Sequence, residues 1–490
     1  MKILLALLIL LTSVSAQSYK VDTIEFPHYV APEVGGLGFT PEGEIVVALR
    51  RYGVLMAKPT ADPKKFQWRV FAEDILHNMC GLQVISKNEI IVSQMAELTK
   101  IKDTDGDGIA DLYETVSDKW GVSGNYHETN TIVPDRKGGW FIAIGTASHN
   151  GPNFYNTKGT FKLNGRRGRN FAAVQWKGWV LHIDKNGKTT PHSSGYRANN
   201  GIGMSPDGKV FVTDNQGDWR GTSPIYHAEK GNFYGHPSSL VWDEKFVKEV
   251  SDNPLFYYIK NDDKYEQDRT PAAIELPHGY MCNSPGEVIF DTKGKFGPFA
   301  GQGFVGDVAG GRIIRLMFEE VNGVTQGACV KFVDKGLRAG NNRLVFSPDG
   351  TQLYTGQTVR GWGRPAEGMQ RISFNGKTPF EVKNMSLLKD GFKITFTKSV
   401  NKEAATKISN YEFKRYYYKS SHKYGSPQNK MTKLKAQKVS VSDDGLSVTL
   451  KLDGLKERHV FEMNIIGDFK SMKDEKVGQN RICYTLNKLR

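Results

Sequence analysis

A strand–turn–strand pattern recurs six times along the chain and constrains the fold more than any other feature. Each copy has a short apolar strand, a turn that is often Pro-Asp-Gly or Pro-Glu-Gly, and a second strand rich in β-branched residues. Proline presets the turn backbone, aspartate bonds its own main chain, and glycine takes a positive φ. Because one such small sheet cannot bury its own faces, the repeat predicts a radial stack of blades. The copies begin at residues 36, 81, 130, 201, 286 and 342.

The pattern predicts an all-β chain with a six-bladed β-propeller over residues 17–378. The degeneracy of the copies leaves seven blades as an alternative, and a strand over residues 21–26 is expected to close the ring with the last blade. After residue 378 the pattern stops, and short strands separated by Asp-Gly turns follow. Residues 379–490 are therefore expected to form a small immunoglobulin-like β-sandwich.

The first sixteen residues have the form of a cleaved export signal. Lys2 supplies a positive charge, residues 3–11 are apolar, and small residues precede a cleavage site between Ala16 and Gln17. The apolar run is too short for a transmembrane helix, which needs about 20 residues. We expect a secreted or periplasmic protein without a membrane span, as a monomer or weak dimer.

The formal net charge is +14, which favours an anionic partner. An exported protein seldom meets DNA, so an anionic glycan is the better candidate and nucleic acid is not expected. An equally good interpretation of the charge is that the lysines only keep the surface soluble. The four cysteines, which predict one disulfide or none, have no metal-binding spacing. They are Cys80, Cys282, Cys329 and Cys483.

Residues 414–438 are both basic and rich in tyrosine. Seven lysines and one arginine alternate there with four tyrosines, Tyr424 among them. Such a segment could bind an anionic saccharide through its aromatic faces. A solvated strand face is the favoured interpretation.

One acidic loop matches the calcium-binding pattern D-x-D-x-D-G-x5-E over residues 103–114. Calcium requires six to eight oxygen ligands, and an empty loop would hold carboxylates that repel one another. An acidic turn without metal is the alternative. Residues 98–101 look like a strand, so a structural site inserted between blades is expected. The predicted ligands are Asp103, Asp105, Asp107, the carbonyl of Ile109, Asp111 through water, and Glu114.

Two segments carry a resemblance to a known family. Residues 195–200 are followed by a strand, a Pro-Asp-Gly turn and a second strand, and residues 231–237 are similar to a Tyr-Gly-Trp-Pro turn with histidine in place of tryptophan. The chain resembles the quinoprotein sugar dehydrogenases of the soluble glucose and sorbosone dehydrogenase type. It is most similar to secreted bacterial propellers within that superfamily. The resemblance covers roughly residues 30–371.

The resemblance implies that pyrroloquinoline quinone (PQQ) binds over the central channel, with calcium activating it. His127 would be the general base, since its ordinary pKa lies near working pH. Arg197 is the second implied catalytic residue and would contact the carbonyls or carboxylates of the quinone, because a guanidinium binds a carboxylate through two hydrogen bonds. The chain departs from the family in the spacing after His127, and no segment reproduces the catalytic calcium site. The implied cofactor ligands are Asn199, Asn200, Arg338, Arg343 and Arg360.

Three functions follow from these features. The first is a quinone-dependent oxidoreductase that acts on a sugar or polyol. It would need an external electron acceptor, because the chain has no C-x-x-C-H haem motif. The second is non-redox binding or cleavage of an acidic polysaccharide by the propeller and the sandwich. The third is an interaction platform without chemistry of its own.

Overall fold

The protein is described by a computed structural model over residues 18–73, 76–122, 130–147, 157–358 and 366–490. Strands dominate this part of the chain. Within the described ranges, no helix has both the length and the apolar character needed to cross a lipid bilayer.

Twenty-four strands build the propeller. The first twelve are β1 (Tyr19–Ile24), β2 (Val34–Phe39), β3 (Ile45–Leu49), β4 (Gly53–Lys58), β5 (Gln67–Glu73), β6 (Gly81–Ser86), β7 (Glu89–Ser93), β8 (Leu98–Lys102), β9 (Leu112–Ser117), β10 (Asn130–Pro134), β11 (Trp140–Ile144) and β12 (Trp179–Ile183). The others are β13 (Thr189–Ser194), β14 (Gly201–Met204), β15 (Val210–Thr213), β16 (Ser223–His227), β17 (Ile274–Leu276), β18 (Pro285–Phe290), β19 (Gly303–Asp307), β20 (Arg312–Val321), β21 (Val324–Val333), β22 (Asn341–Phe346), β23 (Gln352–Gln357) and β24 (Gly368–Phe374).

Short helices interrupt the third and fourth blades. They are α1 (Glu244–Glu249), α2 (Pro254–Lys260) and α3 (Asp262–Asp268), with 3-10 turns at Leu163–Arg166 and Pro237–Trp242. The C-terminal region adds β25 (Val382–Leu388), β26 (Gly391–Phe396), α4 (Lys402–Thr406), a 3-10 turn at Ile408–Asn410, β27 (Tyr411–Tyr417), β28 (Asn429–Leu434), β29 (Ala436–Val441), β30 (Ser447–Leu452), β31 (His459–Ile465) and β32 (Arg481–Leu486).

The propeller has six blades, which confirms the six-fold repeat. Blades one to five use strands β2–β5, β6–β9, β10–β13, β14–β17 and β18–β21 in sequence order. Blade six contains β22, β23 and β24, and β1 completes it. The closing strand pairs antiparallel with β24, with Tyr19 opposite Phe374 and Ile24 opposite Met369. The expected closure of the ring by the N-terminal strand is therefore confirmed.

The first strand of each blade lines the central axis. These inner strands contact one another in the closed order β2, β6, β10, β14, β18, β22 and back to β2. Each blade has four alternating strands, so all the inner strands run in the same direction. The segments before the inner strands, and the loops between the second and third strands, therefore share one face of the propeller. We call this the entry face.

The predicted turns form as the sequence indicates. Gly43, Gly208 and Gly350 occupy the last turn position in three blades, with φ of +91°, +88° and +76°. The N–H of each donates to the carbonyl three residues earlier, at 2.8 to 2.9 Å. Glycine is favoured at these positions because other residues rarely adopt positive φ.

The C-terminal region is joined to blade five through a continuous sheet. Strand β32 pairs antiparallel with β21, the outermost strand of that blade, and β31, β27 and β28 follow. A second sheet, ordered β25-β26-β30-β29, packs on this extension. The shared core contains Ala328 and Val330 from blade five together with Phe392 and Phe461. Two packed sheets are thus present, while the immunoglobulin-like arrangement and the division at residue 378 stay predictions.

All four cysteines are buried thiols. Two of them, Cys329 and Cys483, lie directly opposite each other on β21 and β32. No disulfide is needed to hold this junction, because backbone pairing and the apolar core already join the two strands.

A buried acid lies between blade five and the second C-terminal sheet. Glu381 is 5% exposed, and its Oε2 accepts a hydrogen bond from the Gln479 N–H at 3.0 Å. Burial raises the pKa of Glu381 from 4.5 to about 7, although the nearby charge of Arg315 opposes the shift. The Arg315 guanidinium itself donates to the Val382 carbonyl at 2.5 Å.

Glu381→Gln is expected to make the protein less sensitive to alkaline pH. The folded-state pKa lies above the unfolded value, so the stabilisation is complete below pH 4.5 and is lost as the pH rises through about 7. A pKa shift of this size changes the free energy of unfolding by on the order of 3 kcal/mol. Denaturant unfolding at pH 5 and pH 8.5 checks this prediction: the variant should gain stability relative to the parent at the higher pH. Identical pH slopes for both proteins would contradict it.

Candidate functional site

Two aspartates of blade four hold Arg197 on the entry face. Its Nε donates to Asp218 Oδ1 at 2.8 Å, and its backbone N–H donates to Asp214 Oδ2 at 2.8 Å. Both acids lie in the loop after β15, which shares the entry face with the segment before β14. Arg197 is only 8% exposed. Its terminal nitrogens donate no hydrogen bond to any residue that the structure describes.

The guanidinium of Arg197 packs against bare backbone. A Cβ at Gly217 would collide with its Nε and Cζ. Glycine at this position therefore allows the arginine to lie flat on the loop that carries Asp218. The position of the charge is set by the protein before any ligand arrives.

Asp218 also binds blade three and a buried histidine. Its Oδ2 accepts from the Asn170 N–H at 3.0 Å and lies 3.3 Å from His236 Nε2. Burial disfavours charge on both groups and lowers the pKa of His236. Burial also opposes ionisation of Asp218, but hydrogen bonds from His236 and Arg197 hold its pKa well below the usual range. Asp218 is thus the anionic partner of Arg197.

The orientation of His236 follows from its two neighbours. Ser238 Oγ lies 2.8 Å from His236 Nδ1. In a neutral imidazole, Nδ1 can accept a hydrogen bond from the serine hydroxyl while Nε2–H donates to Asp218. His236 is fully buried, so this chain of side chains positions Asp218 and has no access to solvent. The histidine that replaces tryptophan in the Tyr-Gly-Trp-Pro-like turn is therefore part of the support for Arg197.

A second buried pair lies beneath the first. Arg220 Nε donates to Asp214 Oδ2 at 2.8 Å, and Arg220 also donates to the Gly195 carbonyl. Asp214 therefore joins Arg220 to the backbone of residues 197 and 198, where it accepts both N–H groups. The segment before β14 is consequently rigid.

Arg343, predicted as a cofactor ligand, joins four blades at the axis. Its Nε donates to the carbonyls of Gly35 and Cys80 at 2.8 and 3.0 Å. Nη1 donates to the Asn200 and Asn342 carbonyls at 3.0 and 2.9 Å, and Nη2 donates to Cys80 at 2.7 Å. The residue is 1% exposed. All three nitrogens thus serve the propeller itself.

The other predicted cofactor ligands differ in accessibility. Asn199 and Asn200 are fully or nearly fully buried, and Asn200 Nδ2 donates to Asn342 Oδ1 at 2.7 Å. Arg338 precedes β22 on the entry face and is exposed, with Nη1 donating to the Glu367 carbonyl at 3.2 Å. His127 and Arg360 lie outside the described residues.

The acidic loop connects β8 and β9 as a hairpin. Carboxylate oxygens of Asp103, Asp105 and Asp107 lie within 4.8 Å of one another. Asp103 is buried and accepts from the backbone N–H groups of Gly106 and Gly108 at 2.6 and 3.0 Å. The structure thus brings three of the six predicted metal ligands together.

Two of the remaining predicted ligands, Asp111 and Glu114, have partners of their own. Both oxygens of Asp111 accept from Thr104, at 2.9 and 2.6 Å. Glu114 is on β9 opposite Lys100 and forms an ion pair with it at 2.9 Å. Ile109 is exposed, and its N–H donates to Asp107 at 2.8 Å. The hairpin pairing places Glu114 on a strand, whereas the sequence pattern assumes a loop that returns its twelfth residue to the ion.

No family model and no curated sequence matches the chain. The holo form of the pyranose dehydrogenase PQQ domain from Coprinopsis cinerea is similar in structure, with a TM-score of 0.52 and 14% identity over 72% of this chain and 95% of that one. The calcium structure of a Carbohydrate-Active Enzymes Family AA12 protein from Trichoderma reesei has a TM-score of 0.51 and 12% identity over 74% and 97%.

The chain has the propeller fold of these proteins. At this level of identity the likeness establishes the fold, and activity has to be argued from the site. The matches span nearly all of both neighbours but about three quarters of this chain.

The sequence indicates Arg197 but not the residues that hold it. Asp214, Asp218 and Arg220 stand in the polar segment DNQGDWR immediately after β15. Charged residues that directly follow the second strand of a blade must lie on the entry face, and this rule could have found them. Nothing in the sequence singles out His236 as their partner.

Proposed function

We propose that the protein is a secreted or periplasmic quinoprotein-like oxidoreductase that oxidises a sugar or polyol. One observation carries this proposal: Arg197 is fixed by Asp214 and Asp218 on the entry face while its terminal nitrogens make no hydrogen bond within the described ranges. The fold shared with a PQQ domain supports the same conclusion.

The donor set of the entry face fits a carboxylated quinone in part. PQQ carries three carboxylates, and guanidinium groups bind carboxylates through two parallel hydrogen bonds. Arg197 and Arg338 retain N–H groups for this purpose. Arg343 and Asn200 donate within the protein, so they would support the site without binding the cofactor. When bound, the quinone would supply a two-electron acceptor for hydride from the sugar.

The chain's own residues would bind and orient the reactants. Arg197 would fix the carboxylated ligand, and His127 remains the proposed general base for the sugar hydroxyl. Histidine suits this role because a neutral imidazole accepts a proton near physiological pH. The electrons would then pass to an external acceptor.

Dye-linked sugar oxidation tests the proposal. The mature chain, supplied with PQQ and calcium, should reduce a redox dye in the presence of an aldose or polyol. His127→Ala should lower kcat by about 10²–10⁴-fold, the usual contribution of a general base. His28→Ala, at an exposed histidine, is the matched control and should retain activity. Absence of dye reduction with every sugar class and with quinone bound would contradict the proposal.

We also propose that Asp103, Asp105 and Asp107 hold a structural calcium ion between β8 and β9. Three clustered carboxylates supply hard oxygen ligands, and water and carbonyls would complete the shell. The ion would offset the repulsion among the acids and stabilise the hairpin of blade two.

Asp103→Asn should abolish stabilisation by calcium. A ligand present at about 100 times its Kd stabilises the native state by about 2.7 kcal/mol, so the parent should melt at a higher temperature in calcium than in a chelator. The variant should melt at one temperature under both conditions. Asp184→Asn is the matched control, because Asp184 accepts turn N–H groups in another hairpin. An equal calcium response in parent and Asp103→Asn would contradict the site.

A further inference from the structure

A loop of the C-terminal region reaches the entry face beside Arg197. This loop, residues 418–428, joins β27 to β28 and runs along residues 217–221 of blade four. The Trp219 N–H donates to the Ser421 carbonyl at 2.6 Å. The N–H of Gly425 donates to the Gly217 carbonyl at 2.9 Å, and the N–H of Ser426 donates to the carbonyl of residue 221. The loop is thus bound to the segment that carries Asp218.

The docked loop places one tyrosine ring within cation–π distance of two arginines. The Cζ of Arg169 lies 4.3 Å from the centroid of the Tyr424 ring, and the Cζ of Arg197 lies 5.5 Å from it. The ring is attracted to both cations through its π face. Tyr424 nevertheless remains 52% exposed.

The three side chains have unused binding capacity. Within the described ranges, the Tyr424 hydroxyl makes no hydrogen bond and Arg169 makes no ion pair. Asp218, the acid that holds Arg197, is already shared by Arg197, His236 and the Asn170 N–H. The exposed Tyr424 ring and the exposed Arg169 guanidinium therefore lie beside the buried guanidinium of Arg197, whose position is fixed.

Packing alone does not explain this arrangement. The backbone bonds to residues 217, 219 and 221 hold the loop without the Tyr424 ring, about half of which faces solvent. Arg169 follows Arg166 and Arg167 in the long loop of blade three, so the local charge is strongly positive. Such a charge surplus around an exposed aromatic ring suits an anionic ligand with a flat apolar face.

We propose that Tyr424, Arg169 and Arg197 form a subsite for a carboxylated sugar residue, that is, a uronate. The apolar face of the sugar ring would pack on the exposed part of the Tyr424 ring, and the Arg169 guanidinium would bind the carboxylate through two hydrogen bonds. This inference rests on the proposed function, because it names the substrate class for the same face. It also assigns the C-terminal region a role in recognition.

Equilibrium binding to the full mature chain without quinone tests the subsite. Isothermal titration with α-1,4-linked trigalacturonate is compared with neutral maltotriose. Each charge-assisted hydrogen bond contributes enough for about a tenfold change in affinity or more, so the acidic trimer should bind at least about tenfold more tightly. Tyr424→Ala and Arg169→Ala should each weaken it about tenfold. Tyr424→Phe should bind like the parent, since the hydroxyl is not used.

The control removes another guanidinium that lies beside an aromatic ring. Arg481 lies with its Cζ 3.9 Å from the centroid of the Tyr280 ring, so Arg481→Ala removes the same charge and the same kind of ring contact. It should leave affinity for trigalacturonate unchanged. Equal weakening by Arg481→Ala and Arg169→Ala would show a net-charge effect and overturn the subsite. Equal affinity for the two trimers, or preference for a sulfated trisaccharide, would also overturn it.

The same variants separate this inference from the proposed function. Tyr424→Ala should retain PQQ binding, because Arg197 stays fixed by its two aspartates. If Tyr424→Ala loses uronate binding and keeps quinone binding, the subsite is supported. If the parent binds uronate but never binds quinone, only the proposed oxidoreductase function is overturned. Arg169→Lys provides a variant that preserves charge without the planar fork, and it should bind more weakly than the parent.

Discussion

Arg343→Met is expected to prevent stable folding of the propeller. The guanidinium donates to backbone carbonyls of Gly35, Cys80, Asn200 and Asn342, which belong to or precede the inner strands of four different blades. Methionine has a similar length but no donor, so the four carbonyls would lose a buried partner. Each unsatisfied buried group costs about 1–3 kcal/mol, and the total should exceed about 4 kcal/mol. Native domains are stable by only about 5–15 kcal/mol, so a loss of this size removes a large part or all of the stability.

Denaturant unfolding and soluble yield measure this effect. Arg338→Met is the matched control, since Arg338 is exposed and lies five residues earlier on the same face. It should change stability by less than about 0.5 kcal/mol. Arg343→Lys retains a charge but only a single nitrogen, so its stability should lie between those of Arg343→Met and Arg338→Met. A stable Arg343→Met protein with the unfolding midpoint of the parent would show that the axis is held by other contacts.

Asp218→Asn is expected to destabilise the protein and to release Arg197. The carboxylate accepts from Arg197 Nε, the Asn170 N–H and His236, and an amide would turn an NH2 group toward one of these donors. Removing one partner of a buried ion pair costs about 3–5 kcal/mol. Without its anion, Arg197 loses the fixed position on which ligand binding depends.

The two consequences of Asp218→Asn can be measured separately. Thermal unfolding reports the loss of stability, and quinone binding at a temperature where the variant is folded reports the position of Arg197. Asp207→Asn, at the exposed turn between β14 and β15, is the control and should affect neither. If Asp218→Asn binds quinone like the parent, Arg197 is not positioned by this acid.

Local periodicity explains why the propeller was predictable. The alternation of apolar residues and the glycines at Gly43, Gly208 and Gly350 are properties of short segments, so each blade could be found alone. The placement of Arg197 on a shared face follows from the direction of the inner strands. Pairing of β32 with β21 joins segments about 150 residues apart, and no local pattern specifies it.

The basic, tyrosine-rich segment shows the limit of interpretation from composition. The favoured interpretation, a solvated strand face, describes β28, whose side chains are all exposed or half-buried. Tyr416 is fully buried in the core between blades four and five, and the loop with Tyr424 contacts blade four. Alternation of lysine and tyrosine cannot distinguish these environments, because the docking partner lies 200 residues earlier. Likewise, the acidic loop was predicted by pattern, while the ion pair of Glu114 with Lys100 depends on hairpin register.

Saturation binding of PQQ to the mature protein tests most directly whether Arg197 anchors a carboxylated quinone on the entry face. The titration follows quinone absorbance in calcium-containing buffer for the parent and for Arg197→Ala. We expect saturable binding at one quinone per chain, weakened at least about tenfold in the variant, as loss of a charge-assisted pair requires. Absence of saturable binding to the parent, or equal affinity in both proteins, would contradict this assignment.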